Sequence, residues 1–362
     1  MIVTPIRPHV RRGMVLPLVL VGMLLLLTMS VALQQAAWRA SQGARTQWDA
    51  QRGLYSADAS IVRAFGTWDP DSLAATPIGV PLVSTASEAF GWWTRTSLAR
   101  TGTLTAIAQS TTQRTRVVAA LPPAAATSIG DVTRVHRTVT RAIRLEPPSI
   151  PLLGAVTVLG AANLTAATID GRDSAHAYDP TRDDCGSARD TASVSAVAGV
   201  ALVNSGAALI GNTTVIPLSA VSGHHTLFDS GFTLVSARAR AVPLPIAGPF
   251  PASPPWRATV IQPTPGVTLT GVSHYVGLLA VDGDLLVHGS LHIDGLLLVR
   301  GALDVTRGTL DVRGAVVIRD RSIRGSQLGA GLHVVYAPCL VGRALVAVAT
   351  PHRAPYGVWN VP

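Results

Sequence analysis

The side chains best suited to hold a metal ion lie in one acidic loop, residues 169–185 (IDGRDSAHAYDPTRDDC). Clustered carboxylate oxygens are the ligands that calcium prefers. The loop supplies Asp170, Asp173, Asp179, Asp183 and Asp184, together with His176. Their spacing matches neither an EF-hand nor a nonapeptide calcium repeat, and three arginines lie within or beside the loop. We therefore interpret the segment as an ordered polar loop and predict no metal site.

Other residues that could support chemistry are sparse. His224 and His225 are adjacent, but without a third ligand nearby they are a weak indication of zinc. The sequence contains no GxSxG, HExxH or CxxC motif and no phosphate-binding loop. Asp304 and Asp311 are predicted on different faces of the fold, too far apart to act as a catalytic pair. We expect no enzymatic activity, no cofactor and no small-molecule substrate.

The composition favours β-structure and turns over a helical bundle. The 362 residues include 33 glycines and 25 prolines, and only 14% are charged. A hydrophobic fraction of 48% is sufficient for a core. The net charge is +9, but the arginines are scattered and only 5% of the residues are aromatic. Because a nucleic-acid surface needs arginine clustered with aromatic residues, we do not expect DNA binding.

The N-terminus predicts a membrane anchor. Residues 1–13 carry Arg7, Arg11 and Arg12 and no acidic residue, and residues 14–33 (MVLPLVLVGMLLLLTMSVAL) are uncharged. Twenty helical residues span about 30 Å, the thickness of the hydrocarbon core of a bilayer. Basic residues before such a segment keep the N-terminus in the cytoplasm. The rest of the chain is therefore expected in the periplasm or outside the cell.

Three interpretations of this segment are open. One is a simple signal anchor, and another is a secretory signal cleaved after Ala32, since small residues occupy the cleavage positions. The third is a prepilin leader that ends at Gly13. No proline follows the apolar run until Pro70, and apolar residues recur at helical spacing to residue 65. One continuous helix over 14–65 favours the third interpretation, because a cleaved secretory protein has no need of such a stem.

The leader and the stem resemble the type IV pilin and pseudopilin class. A basic leader ending in Gly13 is followed at once by the apolar helix, and Gly53–Ala59 (GLYSADA) resembles the AFxAAEAAL stretch of PilX-like pilus assembly proteins. The resemblance covers residues 10–65. It implies that prepilin peptidase cleaves after Gly13 and methylates the new N-terminus at Met14. It also implies that the helix packs among other pilins in the inner membrane.

One residue departs from the pattern of major pilins. Those subunits carry glutamate at the fifth position after the cleavage site, where it neutralises a neighbouring N-terminus, but this chain has Leu18. A carboxylate in the bilayer is costly and is kept only for function. The resemblance therefore implies a minor, initiating or tip-located pilin rather than a major filament subunit.

Cys185 and Cys339 are the only thiols of the chain. In an exported domain they can form one disulfide. Two unrelated buried thiols are the alternative, and the sequence alone does not exclude it. The predicted membrane topology favours the disulfide, because the domain then folds in an oxidising compartment.

Residues 66–148 predict a small antiparallel sheet. Apolar and polar residues alternate in Thr103–Gln109 and Arg114–Ala120, which indicates two strands about a polar turn, and again in Val132–Leu145. In a pilin-like protein this sheet packs on the exposed half of the stem helix. The third segment carries four arginines largely on one side, which we interpret as a solvated face: Arg134, Arg137, Arg141 and Arg144.

A short repeat that begins at Gly277 is the strongest signal in the chain. Its seven units read GLLAVD, GDLLVH, GSLHID, GLLLVR, GALDVTR, GTLDVR and GAVVIR. Apolar residues fill the third position, from Leu279 to Val316, and the fifth, from Val281 to Ile318. Alternate residues of a strand share one face, and glycine permits the corner. Strands joined by such tight corners cannot form hairpins but can stack as a parallel β-helix.

A longer period of 18–19 residues groups the units in threes. The first, fourth and seventh units are apolar at their outward positions as well, with Leu278, Leu296 and Val317 among them. The intervening units place polar residues outward: Asp284, His292, Asp304 and Asp311. This pattern predicts a three-sided helix in which another segment covers one face. The solenoid resembles that of bactofilins, and we favour the right-handed form.

Residues 149–362 are accordingly predicted as the β-helix domain. Residues 151–171 share the pattern of the repeat and are expected to form its first turns or to pair with them. Residues 172–265 are assigned to an insertion or linker. Within that range, the apolar segment Gly199–Leu209 is the candidate cover.

The sequence as a whole predicts a mainly β protein with a long N-terminal transmembrane and stem α-helix, a small antiparallel sheet and a three-sided parallel β-helix. Its regions are a cytoplasmic leader (1–13), the helix (14–65), the sheet region (66–148) and the β-helix (149–362). We expect a structural, minor pilin-like component of a type IV pilus or type II secretion-like filament. A signal-anchored adhesin or binding module outside any filament is the alternative. A bactofilin-like polymer would need the cytoplasm, which the N-terminus contradicts.

Overall fold

The computed structural model describes residues 15–67, 69–88, 92–101, 105–116, 132–172, 192–197, 202–211, 213–216, 218–242, 247–248, 256–262, 266–320 and 325–353. Within these ranges the helices are α1 (Val15–Gly66), α2 (Pro70–Ala75), α3 (Leu218–Arg238) and α4 (Pro338–Val346). The strands of the first half are β1 (Pro81–Glu88), β2 (Trp92–Arg100), β3 (Thr105–Arg116), β4 (Val132–Glu146), β5 (Gly154–Val158), β6 (Ala162–Thr165), β7 (Thr168–Asp170), β8 (Ala192–Val197), β9 (Leu202–Ser205), β10 (Ala208–Ile210) and β11 (Thr213–Ile216). The strands of the second half are β12 (Arg240–Ala241), β13 (Ala247–Gly248), β14 (Arg257–Ile261), β15 (Gly266–Leu269), β16 (Val272–Val281), β17 (Asp284–Val287), β18 (Ser290–Val299), β19 (Leu303–Asp304), β20 (Thr309–Ile318), β21 (Ser326–Leu328), β22 (Leu332–Tyr336) and β23 (Thr350–Arg353).

The first element is one long helix, α1, as the sequence predicts. Its N-terminal half is apolar from Leu16 to Leu33 and is exposed. Of the helices that the structure describes, α1 is the one long and apolar enough to span a membrane. Gly13 and Met14, the predicted cleavage site, lie outside the described residues.

A five-stranded antiparallel sheet, in the order β1-β2-β3-β4-β23, packs on the C-terminal half of α1. The prediction of two strands at 103–109 and 114–120 was wrong, because β3 is one long strand. The polar residues that were interpreted as a turn continue the alternation of the strand. Ser110 and Thr112 are buried on the same face as Ala106 and Ala108. Buried hydroxyl groups that find hydrogen-bond partners are compatible with a strand interior, so polarity does not mark a loop here.

Two parallel sheets contain the remaining described strands. One has the order β10-β7-β22-β20-β18-β16-β14-β12, with β5, β8 and β11 paired beside this path. The other has the order β13-β15-β17-β19-β21-β6-β9. Within the repeat, Gly277 pairs with Gly295, and Gly295 pairs with Gly314. The predicted period of 18–19 residues is therefore the spacing between stacked strands.

The register of the repeat is confirmed. The inward residues form one buried cluster, which includes Leu285, Val287, Leu291 and Leu303. The apolar outward residues are also fully buried, in a second cluster that includes Leu278, Ala280, Leu296, Leu298, Ala315 and Val317. The polar outward residues keep part of their surface exposed: Asp284, His292, Asp304 and Asp311. The strands pair in parallel and not as antiparallel hairpins.

Glycine interrupts the extended backbone in each long strand of the repeat. Gly277, Gly295 and Gly314 have φ values of +134°, +141° and +148°. Residues with a Cβ rarely adopt these values. A Cβ at Gly314 would also overlap the carbonyl oxygen of Gly295 on the neighbouring strand. Both the backbone conformation and the stacking therefore require glycine at this position of the repeat.

One layer of the stack is built from two segments that are distant in sequence. β20 pairs along its first half with β22 and along its second half with β5. β6 then pairs with β21, and β7 pairs with β22. Residues 151–171 therefore pair with the end of the repeat. β8 and β11 continue the stack beyond this layer.

Residues 172–265 contribute strands to the parallel sheets, although their sequence predicts an insertion or linker. β9 and β10, at the predicted cover Gly199–Leu209, pair with β6 and β7. β14 and β15 pair with β16 and β17. The cover is instead helical, since α4 packs on β16, β18 and β20 and α3 packs on β14 and β16. The strands of this range differ from the prediction because their spacing is irregular and does not match the repeat.

α3 carries the chain back along the stack. Asp229 forms ion pairs with Arg319 and Arg300, which follow β20 and β18, and the helix then continues to β14. Its 21 residues span about 30 Å. The path of stacked strands from β10 to β12 spans about 34 Å. Because the two lengths match, the chain that ends the stack at β11 can start it again from the opposite end at β12.

Candidate functional site

The exposed half of α1 is the first candidate site, because apolar side chains cover its whole circumference. Large apolar residues from Leu16 to Leu33 have exposed fractions between 45% and 75%. No charged residue interrupts the helix before Arg39. An apolar surface on all sides of a helix suits a lipid bilayer or the apolar helices of other chains.

The C-terminal half of α1 is held on the antiparallel sheet by apolar and hydroxyl side chains. Ala57 and Ile61 are fully buried. The Ser60 hydroxyl lies 2.9 Å from Thr96 Oγ1 and 2.6 Å from Ser110 Oγ. These hydroxyl groups satisfy one another away from water, and the network fixes one register of the helix on the sheet. The stem and the sheet therefore form one unit.

An ion pair also joins α1 to the sheet, and its position differs from the predicted arginine face. Arg141 donates from Nε and Nη2 to Asp58 Oδ1, at 3.2 and 3.1 Å. Side chains alternate along β4, so Arg141 faces α1 whereas Arg144 is exposed on the other side. The expectation that the four arginines lie largely on one side is therefore wrong for this pair. The side chains of Arg134 and Arg137 lie outside the described part of the chain.

Arg343 of α4 connects α2 with the residue that precedes β14. Its guanidinium lies 4.0 Å from the ring centre of Trp256, and its Nε donates to the carbonyl oxygen of Ala74 at 3.4 Å. Apolar residues of α1, α2, α3, α4 and the outward face of the repeat belong to the same buried cluster. The stem and the distal sheets therefore share a core.

The second candidate site is a polar column on the face of the larger parallel sheet that none of the described helices α1 to α4 covers. We define this column as six outward residues: His274, His292, Asp294, Asp311, Arg313 and His333. Pairing in parallel register aligns His274 with His292, His292 with Asp311, and Asp311 with His333. Asp294 is aligned with Arg313 in the neighbouring row. Stacked strands lie about 4.8 Å apart, so side chains on adjacent strands reach one another.

Asp294 lies at the centre of the polar column. Its Oδ2 lies 3.0 Å from His274 Nε2, and its Oδ1 lies 3.3 Å from His292 Nε2 and 3.8 Å from Arg313 Nη1. The other ring nitrogen of His292, Nδ1, lies 3.1 Å from Asp311 Oδ2. Asp294 Oδ1 is buried and accepts no hydrogen bond from a described residue. Within the described ranges, His274, His292 and Asp294 are the one group of metal-ligand types with atoms within 4.8 Å of each other.

The structure describes only the start of the acidic loop at 169–185, from residue 169 to residue 172. Arg172 donates from Nε and Nη2 to the two carboxylate oxygens of Asp170, at 3.0 and 2.8 Å. These hydrogen bonds lower the pKa of the Asp170 carboxyl below its ordinary value. The other ligand candidates of the loop lie outside the described residues: Asp173, His176, Asp179, Asp183 and Asp184.

Of the other candidate residues from the sequence, Asp311 belongs to the polar column and the rest lie apart from it. His224 and His225 are half-buried on α3. Asp304 lies on β19 in the smaller parallel sheet and accepts hydrogen bonds from Thr306, whereas Asp311 lies on β20 in the larger sheet. The two carboxylates therefore belong to different faces, as predicted.

Cys339 lies in the first turn of α4 and is disulfide-bonded. Its predicted partner, Cys185, lies outside the described residues, so the Cys185–Cys339 pairing stays a prediction. The position of Cys339 is informative, because α4 is the helix that covers the apolar outward face of β16, β18 and β20. A disulfide at Cys339 attaches α4, which covers this face, covalently to another part of the chain.

The group around Asp294 was missed by the sequence analysis, although the sequence contains a signal for it. His274 and His292 are 18 residues apart, which is one long period of the repeat. Histidine at equivalent positions of stacked strands places two imidazole rings side by side, here with centroids 4.7 Å apart. Comparison of the chain with family models, with curated proteins and with solved structures gives no match.

Proposed function

We propose that this protein is a structural, minor pilin-like component of a type IV pilus or type II secretion-like filament. One observation carries the proposal: α1 is a single 52-residue helix whose apolar first half is exposed and whose C-terminal part, near Ala57 and Ile61, buries one face against an antiparallel sheet. Such a helix can insert its first half among the helices of other pilins and hold a folded domain outside the membrane. The protein would lie in the inner membrane with its N-terminus in the cytoplasm and its distal domain in the periplasm or outside the cell.

We further propose that the parallel sheets form a three-sided β-helix, displayed at or near the tip of the filament. Support comes from the parallel pairing at intervals of 18 and 19 residues and from the glycine at equivalent points of successive strands. A right-handed helix remains our preference. In this proposal the distal domain is a structural display element, not an enzyme, and it needs no cofactor or nucleic acid.

The alternative is a signal-anchored adhesin or binding module that joins no filament. Leu18 is compatible with both functions, since it stands where major pilins carry a carboxylate and is 75% exposed. A helix without that carboxylate can still anchor a domain in the membrane. The two functions therefore differ in processing and in partners, not in the fold.

Mass spectrometry of the mature N-terminus tests the proposal. In cells that contain prepilin peptidase, we expect the chain to begin at Met14 with a methylated amine. Gly13→Val should leave the precursor uncut, because the peptidase requires a residue without a side chain at this position. Gly22→Val lies within the same apolar helix and serves as the control, which should be processed normally. An intact N-terminus in the unmodified chain would support the signal anchor, and cleavage after Ala32 would remove the anchor altogether.

A further inference from the structure

We propose that His274, His292 and Asp294 form a binding site for a divalent transition-metal ion of the zinc class, with Asp311 as the outer partner of His292. The site is built from two adjacent parallel strands, β16 and β18, and the outer partner comes from a third, β20. It is independent of the proposed role in a filament, because it depends only on the polar column of the distal sheet.

The spacing of the candidate ligand atoms fits a metal ion. Zinc binds imidazole nitrogen and carboxylate oxygen at about 2.0–2.2 Å in a tetrahedral arrangement, so two ligand atoms lie about 3.4 Å apart. The distances from Asp294 Oδ2 to His274 Nε2 and from Asp294 Oδ1 to His292 Nε2 are 3.0 and 3.3 Å. All three residues offer a ligand atom within 4.8 Å of the others. In the ion-free state His274 Nε2 donates a hydrogen bond to Asp294 Oδ2, so metal binding moves the proton of the neutral ring to Nδ1 and frees the Nε2 lone pair. With that change of tautomer, small side-chain adjustments bring the three ligands to one ion.

The hydrogen bond to Asp311 orients His292 as a ligand. Because a carboxylate can only accept, His292 Nδ1 donates its proton to Asp311 Oδ2 at 3.1 Å. In its neutral form, the ring with its proton on Nδ1 presents the lone pair of Nε2 toward Asp294 Oδ1. A carboxylate behind a metal-binding histidine is the usual outer-shell arrangement at zinc sites, where it fixes the ring and raises its basicity.

When His292 is neutral in this tautomer, its Nε2 and Asp294 Oδ1 are two acceptors facing each other, and a cation between them would satisfy both. Asp294 Oδ1 is buried and accepts no hydrogen bond from the described residues, although His292 Nε2 is 3.3 Å away. A buried carboxylate oxygen without a hydrogen bond is costly, and a metal ion in this position would satisfy it. The neighbouring guanidinium of Arg313, 3.8 Å from the same oxygen, offsets only part of the charge of Asp294 and Asp311.

The strands hold the ligands in place before any ion binds. His274 pairs directly with His292, and Asp294 follows two residues later on β18. β18 pairs with β16 on one side and β20 on the other along ten residues each. His274 is 56% and His292 32% exposed, so an ion can enter from solvent. A bound ion would also link β16 to β18 through side chains.

Calorimetric titration with Zn²⁺ tests the site. The full chain, without a histidine tag, is solubilised in detergent micelles, treated with EDTA and titrated with zinc chloride. We expect His274→Ala and His292→Ala each to lose one equivalent of bound zinc that the unmodified protein shows. His288→Ala replaces an exposed histidine outside the column and should keep that equivalent. The histidines of the site are partly exposed, and circular dichroism and thermal unfolding verify that each variant is folded.

Two further variants separate this site from any other zinc site of the chain. Asp311→Asn should keep the equivalent but weaken its Kd by about 10–100-fold, the usual effect of removing an outer partner. Arg313→Gln should tighten it, because a nearby positive charge opposes a cation. Co²⁺ in place of Zn²⁺ should give a visible absorption band that disappears in His292→Ala. Equal zinc binding by the unmodified protein, His274→Ala and His292→Ala would overturn the proposal, as would the absence of zinc binding at millimolar concentration.

Discussion

Val156 lies directly beside Val316 in parallel register, although most of the distal region separates the two residues in sequence. Both side chains are fully buried in the inner cluster of the parallel sheets. Val156 belongs to β5, which occupies the half of β20 that β22 leaves unpaired. We call this meeting of β5, β20 and β22 the seam. It joins the segment before α3 to the segment after it.

Val156→Asp should open the seam and release everything stacked beyond it. The substitution buries a carboxylate without a partner, which costs about 3–5 kcal/mol. β8 depends on β5 for its place in the stack, and β11 depends on β8. Hydrogen–deuterium exchange should therefore show lost protection in 192–197 and 213–216 together with 154–158.

The amides of β16 and β18 provide the internal control for this variant, because these strands stack on the edge of β20 opposite β5 and β22. They should keep their protection under the same conditions. Uniform loss of protection over all strands would show instead that the stack unfolds as one cooperative unit.

Leu291→Asp should unfold the distal domain, whereas Leu298→Asp should release only the helix α4. Leu291 points into the inner cluster, where a carboxylate meets only apolar side chains, so the domain should unfold. Leu298 is equally buried, but it belongs to the outward cluster under the helices, and α4 packs on its strand β18. Release of α4 would expose a carboxylate at this position to water. Limited proteolysis should cut Leu298→Asp near 338–346 while the strands stay intact, and equal global unfolding of the two variants would contradict this expectation.

Gly314→Ala should destabilise the protein far more than Gly266→Ala. A Cβ at Gly314 combines a φ of +148° with an overlap against the Gly295 carbonyl oxygen, which together cost roughly 2–5 kcal/mol. At Gly266 the nearest atoms to a Cβ lie 3.5 Å away, an ordinary contact. The shift of the urea midpoint in the two variants measures the difference. Similar midpoints would show that the strands can move apart without penalty.

Reduction of the disulfide should increase hydrogen exchange in α4 while the strands of the parallel sheets stay protected. If Cys185 pairs with Cys339, the bond closes a loop of about 150 residues and contributes roughly 4–5 kcal/mol in the chain-entropy model. Alkylation under non-reducing conditions should leave both thiols unmodified, and the Cys185→Ser variant should gain exchange in 338–346. Modification of both cysteines without reduction would rule out this pairing.

The parts of the fold that depend on local repetition were predictable from the sequence. Apolar residues at fixed positions of each unit, such as Leu285 and Leu291, predict burial because alternate residues of a strand share one face. The same alternation, read together with the long period, predicted that Leu296 and Leu298 would point outward and yet be covered. A long uncharged run likewise predicts an exposed apolar helix.

The parts that depend on which distant segments meet were not predictable in the same way. Nothing local distinguishes β14 from a linker, and its place beside β16 follows from the return of α3. The helical cover was missed because α4 is short and lies outside the repeat that it covers. The ligand group around Asp294 depends on side chains of two strands, so it appears only when His274 and His292 are aligned by the period of the repeat.

The distal region can finish folding only after all three strands of the seam have been synthesised. A ribosome makes β5 to β11 first, but β5 finds its partner β20 only after residue 318 has been made. Until then these early strands present open edges, and parallel pairing over such separations is slow. Folding of this chain therefore cannot proceed from one end to the other as synthesis advances. The early strands reach their final pairing only when the last strands are present, and until then their open edges are prone to wrong pairing.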